Sequence, residues 1–294
     1  MSLKKYFKKL ITRRANKIIN AKNLKIRQIQ EEKLVQLNNY RYDKFCKYPL
    51  NFKHSGKFGD IIYSLPTIKA LANKYSNGKA DLYIHLGMQP DPLNEKLFDV
   101  IYELLKRQPY LNNVKIHQRE QIDFDLDIFR LYVPNLVGTD ITKFYQFCFP
   151  VWIDTCNPWL FVEKNNIASN SILINRTDRY QVKNIDYGFL SDYPSVFFVG
   201  LESEFKKIKK NIPNLEYLET KNLYELATII AGCKLFIGNQ STPFAIAEGL
   251  KVPRILESCV DIGNVNPCGG NKPFASFRVQ RCLEELTYEF YYRY

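Results

Sequence analysis

The stretch Leu235-Phe236-Ile237-Gly238-Asn239-Gln240-Ser241-Thr242-Pro243-Phe244-Ala245-Ile246-Ala247-Glu248-Gly249-Leu250 decides how this chain is read. An apolar run enters a loop of small polar residues, and Pro243 then stands where the first turn of a helix tolerates proline. The pattern is a strand, a tight loop and a helix start. Free N–H groups from Gly238, Asn239, Gln240, Ser241 and Thr242, with the dipole of the helix they open, make a seat for an anion such as a diphosphate. Glu248 lies two turns beyond Ser241 on the same helix face, within reach of a ribose hydroxyl. An ordinary strand-to-helix connection capped by Ser241, with Glu248 a solvated charge, uses the same residues.

The alternation extends outward in both directions. Strand patterns at Ser171–Asn175, Ser195–Val199, Leu215–Leu218, Leu235–Ile237 and Arg254–Glu257 alternate with helical ones near Glu202–Lys210, Leu223–Ala231 and Pro243–Leu250. A last helix is expected at Phe277–Tyr291. Upstream, a strand at Leu50–His54 is followed by a helix from Asp60 to Tyr75, a strand at Asp81–Leu86 and a helix at Glu95–Gln108. Strand-like pieces at Val114–His117 and Phe124–Phe129 complete this series, and the alternating Asp123-x-Asp125-x-Asp127 reads as one face of the latter. Alternation of this kind predicts parallel sheets with helices on both faces. Two series predict two Rossmann-like doubly wound domains facing a cleft, residues 46–165 and 166–294.

Composition excludes several classes. The chain has 294 residues, 46% apolar and 24% charged, as expected for a globular α/β protein. No stretch reaches the roughly 20 apolar residues of a bilayer span, and the start lacks a signal-like apolar run. Seven cysteines without a C-x-x-C pair and three scattered histidines predict neither a zinc site nor a disulfide framework, and suit a reducing cytoplasm. The net charge is +12, yet residues 1–30 hold ten cations and no acid, so all but two of those charges belong to the arm. Nucleic acid is therefore not an expected partner of the body. Within the arm (residues 1–45), Leu3, Phe7, Leu10, Ile11, Ala15, Ile18 and Ile19 recur at helical steps. That amphipathic pattern points either to an anionic membrane surface, with the protein peripheral at its inner face, or to a stripe packed on the body.

A second segment carries chemistry: Gly56-Lys57-Phe58-Gly59-Asp60-Ile61-Ile62-Tyr63-Ser64-Leu65-Pro66. Its glycines permit a tight strand-to-helix turn and close approach by another molecule. Asp60 stands at the helix start, as a cap or as a carboxylate aimed into a crevice. Lys57, Gly59 and the neighbouring His54 are candidates for lining that crevice, which the resemblance described below makes the acceptor side. Both segments follow a strand, and open α/β sheets bind ligands at the carboxyl ends of strands.

Taken together, the segments resemble the heptosyltransferase-like family of glycosyltransferases. Gly59-Asp60 with Leu65-Pro66 matches the family's early motif; Ile237-Gly238-Asn239, Ser241, Pro243, Ala247, Leu250 and Pro253 match its late one. Leu223–Ala231 resembles the helix before that motif, and Val199-Gly200-Leu201-Glu202 its strand-end segment. Gln240, Thr242 and Ala245 depart from the family's Asp, Gly and His. The resemblance implies a GT-B-like fold and an inverting, metal-independent transfer from a nucleotide sugar to a glycan or lipid-linked acceptor. It implies Asp60 as the base that takes the acceptor proton. Arg176, Thr177, Arg179 and Lys183 then join the Gly238–Thr242 loop in holding the donor diphosphate, with no cofactor beyond the nucleotide sugar. A GT-B-shaped binding protein without turnover, and a nucleotide-sugar epimerase of the same architecture, remain open alternatives.

Overall fold

The computed structural model describes Gln28, Glu32 and residues 49–87, 93–131, 140–259 and 263–294. The arm expected at residues 1–45 otherwise lies outside the described residues. Cys46–Tyr294 forms one compact unit containing two parallel sheets.

The first sheet contains β1 (Leu50–His54), β2 (Ala80–Ile84), β3 (Leu111–Ile116) and β4 (Phe124–Asp125) in the order β3-β2-β1-β4. Helix α1 (Phe58–Tyr75) links β1 to β2, and α2 (Glu95–Leu105) links β2 to β3. Helix α3 (Ile141–Cys148) follows the sheet, its first turn capped by Asp140, whose carboxylate accepts the Thr142 N–H at 2.7 Å.

The second sheet contains β5 (Ile172–Asn175), β6 (Val196–Phe198), β7 (Leu215–Tyr217), β8 (Leu235–Asn239), β9 (Arg254–Glu257) and β10 (Phe274–Phe277). Its order is β10-β9-β8-β5-β6-β7, and every pairing is parallel. Connecting helices are α4 (Glu202–Ile208), α5 (Leu223–Gly232) and α6 (Thr242–Leu250); α7 (Gln280–Tyr292) closes the chain. Central strands β5, β8 and β9 are buried at every residue; β5 and β8 accordingly open with apolar runs rather than alternate, whereas β9 carries Arg254 and Glu257 at its ends, each in a buried ion pair.

Strand order reverses once in each sheet. The chain moves from β1 outward to β3 and returns to place β4 on the other side of β1; likewise β8 returns to the far side of β5. The crevices above β1/β4 and β5/β8 are therefore the two switch points where such sheets bind ligands.

Two expected elements differ. The piece at Phe124–Phe129 pairs over only two residues before turning into a 3-10 helix at Leu126–Leu131, because Asp127 turns back to the Ser55 loop. The closing helix starts later than Phe277: Phe274–Phe277 pairs with Arg254–Glu257 as an edge strand, and its mostly exposed residues give no apolar signature. Helix α3 is an element the sequence pattern did not announce.

The sheets are coupled by packing of α1 on α6 and by a crossing segment. Trp159 and Leu160 donate their N–H groups to the Gly249 carbonyl at 3.0 and 3.1 Å, and Asn165 donates to the Thr228 carbonyl at 2.9 Å. A Cβ on Gly232 would lie 1.8 Å from the Asn165 carbonyl oxygen, so only glycine lets the segment pass α5. Gly232→Ala is expected to lower unfolding free energy by roughly 1–3 kcal/mol, read as a lower midpoint in urea. An unchanged midpoint would show that the segment yields without cost.

Candidate active site at the two switch points

At the first switch point, β1 ends in His54, which is fully buried. Its Nδ1 accepts the Gly56 N–H at 2.8 Å, and its Nε2 lies 3.1 Å from the Tyr145 hydroxyl. The backbone donor assigns the neutral tautomer: Nε2–H donates to Tyr145, whose hydroxyl donates to the Asp60 carbonyl at 3.3 Å. Burial holds the His54 pKa below 6.5, and the opposing charges of Asp127 and Asp60 do not overcome it. His54 therefore does not line the crevice, as the sequence had suggested. It lies beneath the loop and fixes its shape.

Asp127 binds the same loop from the β4 side, accepting from the Ser55 N–H at 3.1 Å and the Ser55 hydroxyl at 2.6 Å. Three residues on, Arg130 stacks 4.7 Å over the Phe129 ring and donates to the Asp60 carboxylate at 3.1 Å. Its Nε lies 3.7 Å from Asp127. Asp60, the third residue of α1, is thus held by a guanidinium and remains 24% exposed. The two glycines of the motif differ in cause. A Cβ on Gly56 would meet Arg130 at 2.0 Å and the His54 ring at 2.5 Å, whereas one on Gly59 would meet nothing within 4 Å. Gly56 is required by its neighbours, and Gly59 leaves open space beside Asp60. Lys57 is exposed at the start of the helix.

At the second switch point, the buried Asn239 side chain joins the two strand ends. Its Oδ1 accepts the Thr177 N–H at 3.0 Å, and its Nδ2 donates to the carbonyls of Thr177 at 3.0 Å and Arg179 at 2.6 Å. Ser241 caps α6 and donates its hydroxyl to Asn175 Oδ1 at 2.7 Å. Gly238 is required by packing, since a Cβ there would lie 2.9 Å from the Asn175 carbonyl oxygen. Gln240 donates to the Asn264 side chain, whose backbone carbonyl accepts the Ile141 N–H opening α3. The loop of one sheet is thereby tied to the flank of the other. Thr242 is the first residue of α6 and, like Gln240 and Ser241, is partly exposed.

Two donor-side expectations are corrected. Arg176 forms a two-pronged pair with the buried Glu257 at 2.8 and 2.9 Å, donates to the Val182 and Ile185 carbonyls, and stacks 4.8 Å over Tyr187. Its guanidinium shapes the 176–185 loop and is not left for a phosphate. Glu248 is completely buried, paired with Lys251 and Arg254, and accepts the Cys268 N–H at 3.3 Å. Both carboxylate oxygens are engaged, so it does not face a ribose; the helix turns it toward β9 and the Cys268 loop. Arg179 and Lys183 remain exposed at the rim. Asp127, Arg130 and Tyr145 are site residues that sequence reasoning missed. Only the acidic alternation hinted at the first.

No protein-family model matches the chain, and no curated protein is similar to it in sequence. Solved structures are similar in fold. Escherichia coli heptosyltransferase WaaC with ADP-2-deoxy-2-fluoro heptose superposes with a TM-score of 0.55 at 11% identity, over 82% of this chain and 99% of that one. The fold is heptosyltransferase-like. Escherichia coli ADP-heptose LPS heptosyltransferase II gives 0.52 at 13% identity, over 82% and 98% of the two chains. A glycosyl transferase family 9 protein from Veillonella parvula gives 0.51 at 12%, over 81% and 88%. Within this heptosyltransferase-like fold, no described helix is long and apolar enough to cross a membrane.

The buried neutral His54 generates a pH expectation. Its folded pKa lies below the 6.5 of an unfolded chain, so as pH falls below 6.5 the unfolded state takes up more protons and stability is lost. The loss reaches at most about 1.4 kcal/mol per pH unit for one proton. His54→Asn keeps an acceptor for the Gly56 N–H and removes the titration. Thermal midpoints measured from pH 7 to 5 are expected to fall less steeply in the variant; equal slopes would place the acid sensitivity elsewhere.

Proposed function

We propose that the chain is an inverting glycosyltransferase that moves a sugar from a nucleotide sugar onto a glycan or lipid-linked acceptor. Residues 46–165 hold the acceptor and residues 166–294 the donor. The observation that carries this reading is the placement of both candidate segments at the switch points of a heptosyltransferase-like fold. The similar structure bound to ADP-2-deoxy-2-fluoro heptose supports a nucleotide-sugar donor.

Asp60 takes the proton of the acceptor hydroxyl as that oxygen bonds to the anomeric carbon. The bond from that carbon to the diphosphate oxygen breaks on the opposite face, and its electron pair leaves with the diphosphate. Backbone N–H groups around Gln240–Thr242 at the start of α6, the α6 dipole, and exposed Arg179 and Lys183 receive the departing charge. Arg130 positions the Asp60 carboxylate, and Asn239 positions the Thr177–Arg179 backbone. No step is routed through a metal ion: Asp123, Asp125 and Asp127 are engaged by the Asn51 N–H, Lys53 and Ser55. The basic arm, residues 1–30, holds the protein at an anionic membrane surface near a lipid-linked acceptor. A binding protein of the same shape without turnover is the second reading. It is favoured by Gln240, whose amide is tied to Asn264.

Asp60→Asn retains the shape and removes the basicity. Transfer is expected to fall roughly 10²–10⁴-fold while donor affinity, measured by titration calorimetry, stays within about twofold. Full turnover by this variant would make Asp60 a structural group only. Binding of donor without turnover by the unaltered chain, across a panel of nucleotide sugars and acceptors, would favour the second reading.

A further inference from the structure

A cavity of about 940 Å³ lies away from both switch points, at the amino-terminal edge of the second sheet. Its floor is the entry to β8 and β9, at Cys233, Lys234, Val252 and Pro253; one wall is Leu160, Phe161 and Val162 of the crossing segment. The volume is at the upper end of the roughly 300–1,000 Å³ of small-molecule sites. The walls are fixed before any ligand arrives. Trp159 and Leu160 are pinned on Gly249, Asn165 on Thr228, and the Phe236 N–H donates to the Pro253 carbonyl at 2.9 Å.

The charge lining this cavity is one-sided. Lys164, Lys234, Lys251 and Lys272 line it, and no Asp or Glu side chain does. Lys251 is paired with buried Glu248, which Arg254 also engages. Lys234 rests its ammonium 4.6 Å from the Tyr291 ring, and a further cation, Lys69, stacks 5.2 Å over the Phe161 ring. Lys164 and Lys272 are exposed and form no ion pair among the described residues. Like charges around low-dielectric walls repel one another and raise the local potential, which an anion relieves.

We propose that this cavity is a second ligand site, built for a phosphorylated molecule. Lys164, Lys234 and Lys272 receive the phosphate oxygens, and the apolar part lies against Leu160, Phe161 and Val252. The proposal is independent of glycosyl transfer and does not rest on Asp60 or the Gly238–Thr242 loop. A soluble phosphate compound and a lipid headgroup share this chemistry.

Cys156 supplies a local reporter, because it lines the cavity and is exposed; Cys282 on α7 is exposed outside it. Burial pushes the thiols of Cys148 and Cys233 up to about 12, so they react slowly. The full chain is treated with iodoacetamide and alkylation is followed by peptide mass spectrometry, with inorganic pyrophosphate in one arm and phosphatidylglycerol vesicles in the other. At about ten times its Kd a ligand leaves roughly one site in eleven empty, so Cys156 alkylation is expected to slow about tenfold while Cys282 is unchanged. In the Lys164→Ala/Lys272→Ala variant the protection is expected to disappear. Protection by pyrophosphate assigns a soluble ligand, and protection by vesicles alone assigns a headgroup. No protection in either arm, equal protection of Cys282, or protection that survives the lysine replacements would overturn the proposal.

Discussion

The buried amide of Asn239 is the contact on which the loops of the second switch point depend. It lies where β5 and β8 part, and a side-chain amide there must find partners or forfeit its solvation. It finds them in the Thr177 N–H and in the carbonyls of Thr177 and Arg179. Those bonds fold the loop after β5 across the switch point. Ser241, joined to Asn175, fixes the loop after β8 in the same plane of contacts. Arg176 bound to Glu257 closes the far side. Polar side chains thus hold polar loops, and Gln240, Ser241 and Thr242 at the α6 start stay partly exposed.

At the first switch point the same problem is solved with charge. Asp127 receives the Ser55 loop, His54 receives Gly56, and Arg130 spans from Asp127 toward Asp60. The Asp60 carboxylate is held from the 3-10 helix Leu126–Leu131 through Arg130, while Tyr145 of α3 binds the Asp60 backbone carbonyl. Within the second half, the Glu248 cluster is a different device. Taking three charges out of water is costly, and removing one partner of such a cluster leaves an uncompensated buried charge. It locks α6 to β9 and to the Cys268 loop, which fixes the helix whose other end borders the second switch point.

Much of this was legible in the sequence where chemistry is local. The strand–helix alternation placed β1 and β9 at their observed limits, and Pro243 behind Ser241 marked the start of α6. Asp60, Asn239 and Ser241 were found because glycine-bearing loops surround them. What failed was non-local. Arg130 and Tyr145 reach Asp60 and His54 from elements far along the chain, and nothing in their own neighbourhoods announces it. Glu248 and Arg176 look like available charges in one dimension, and their partners Arg254 and Glu257 stand at the two ends of a buried strand, distant enough in sequence that no local pattern pairs them. Edge strand β10 has mostly exposed residues, so no burial pattern marks it.

The most direct measurement is the crystal structure of the chain soaked with ADP, UDP and GDP in turn. The diphosphate of whichever nucleotide binds is expected against the backbone N–H groups of Asn239–Thr242, at the start of α6 and within reach of Arg179. A nucleotide found only above β1, among Lys57, Asp60 and Arg130, would contradict the assignment of donor and acceptor to the two sheets.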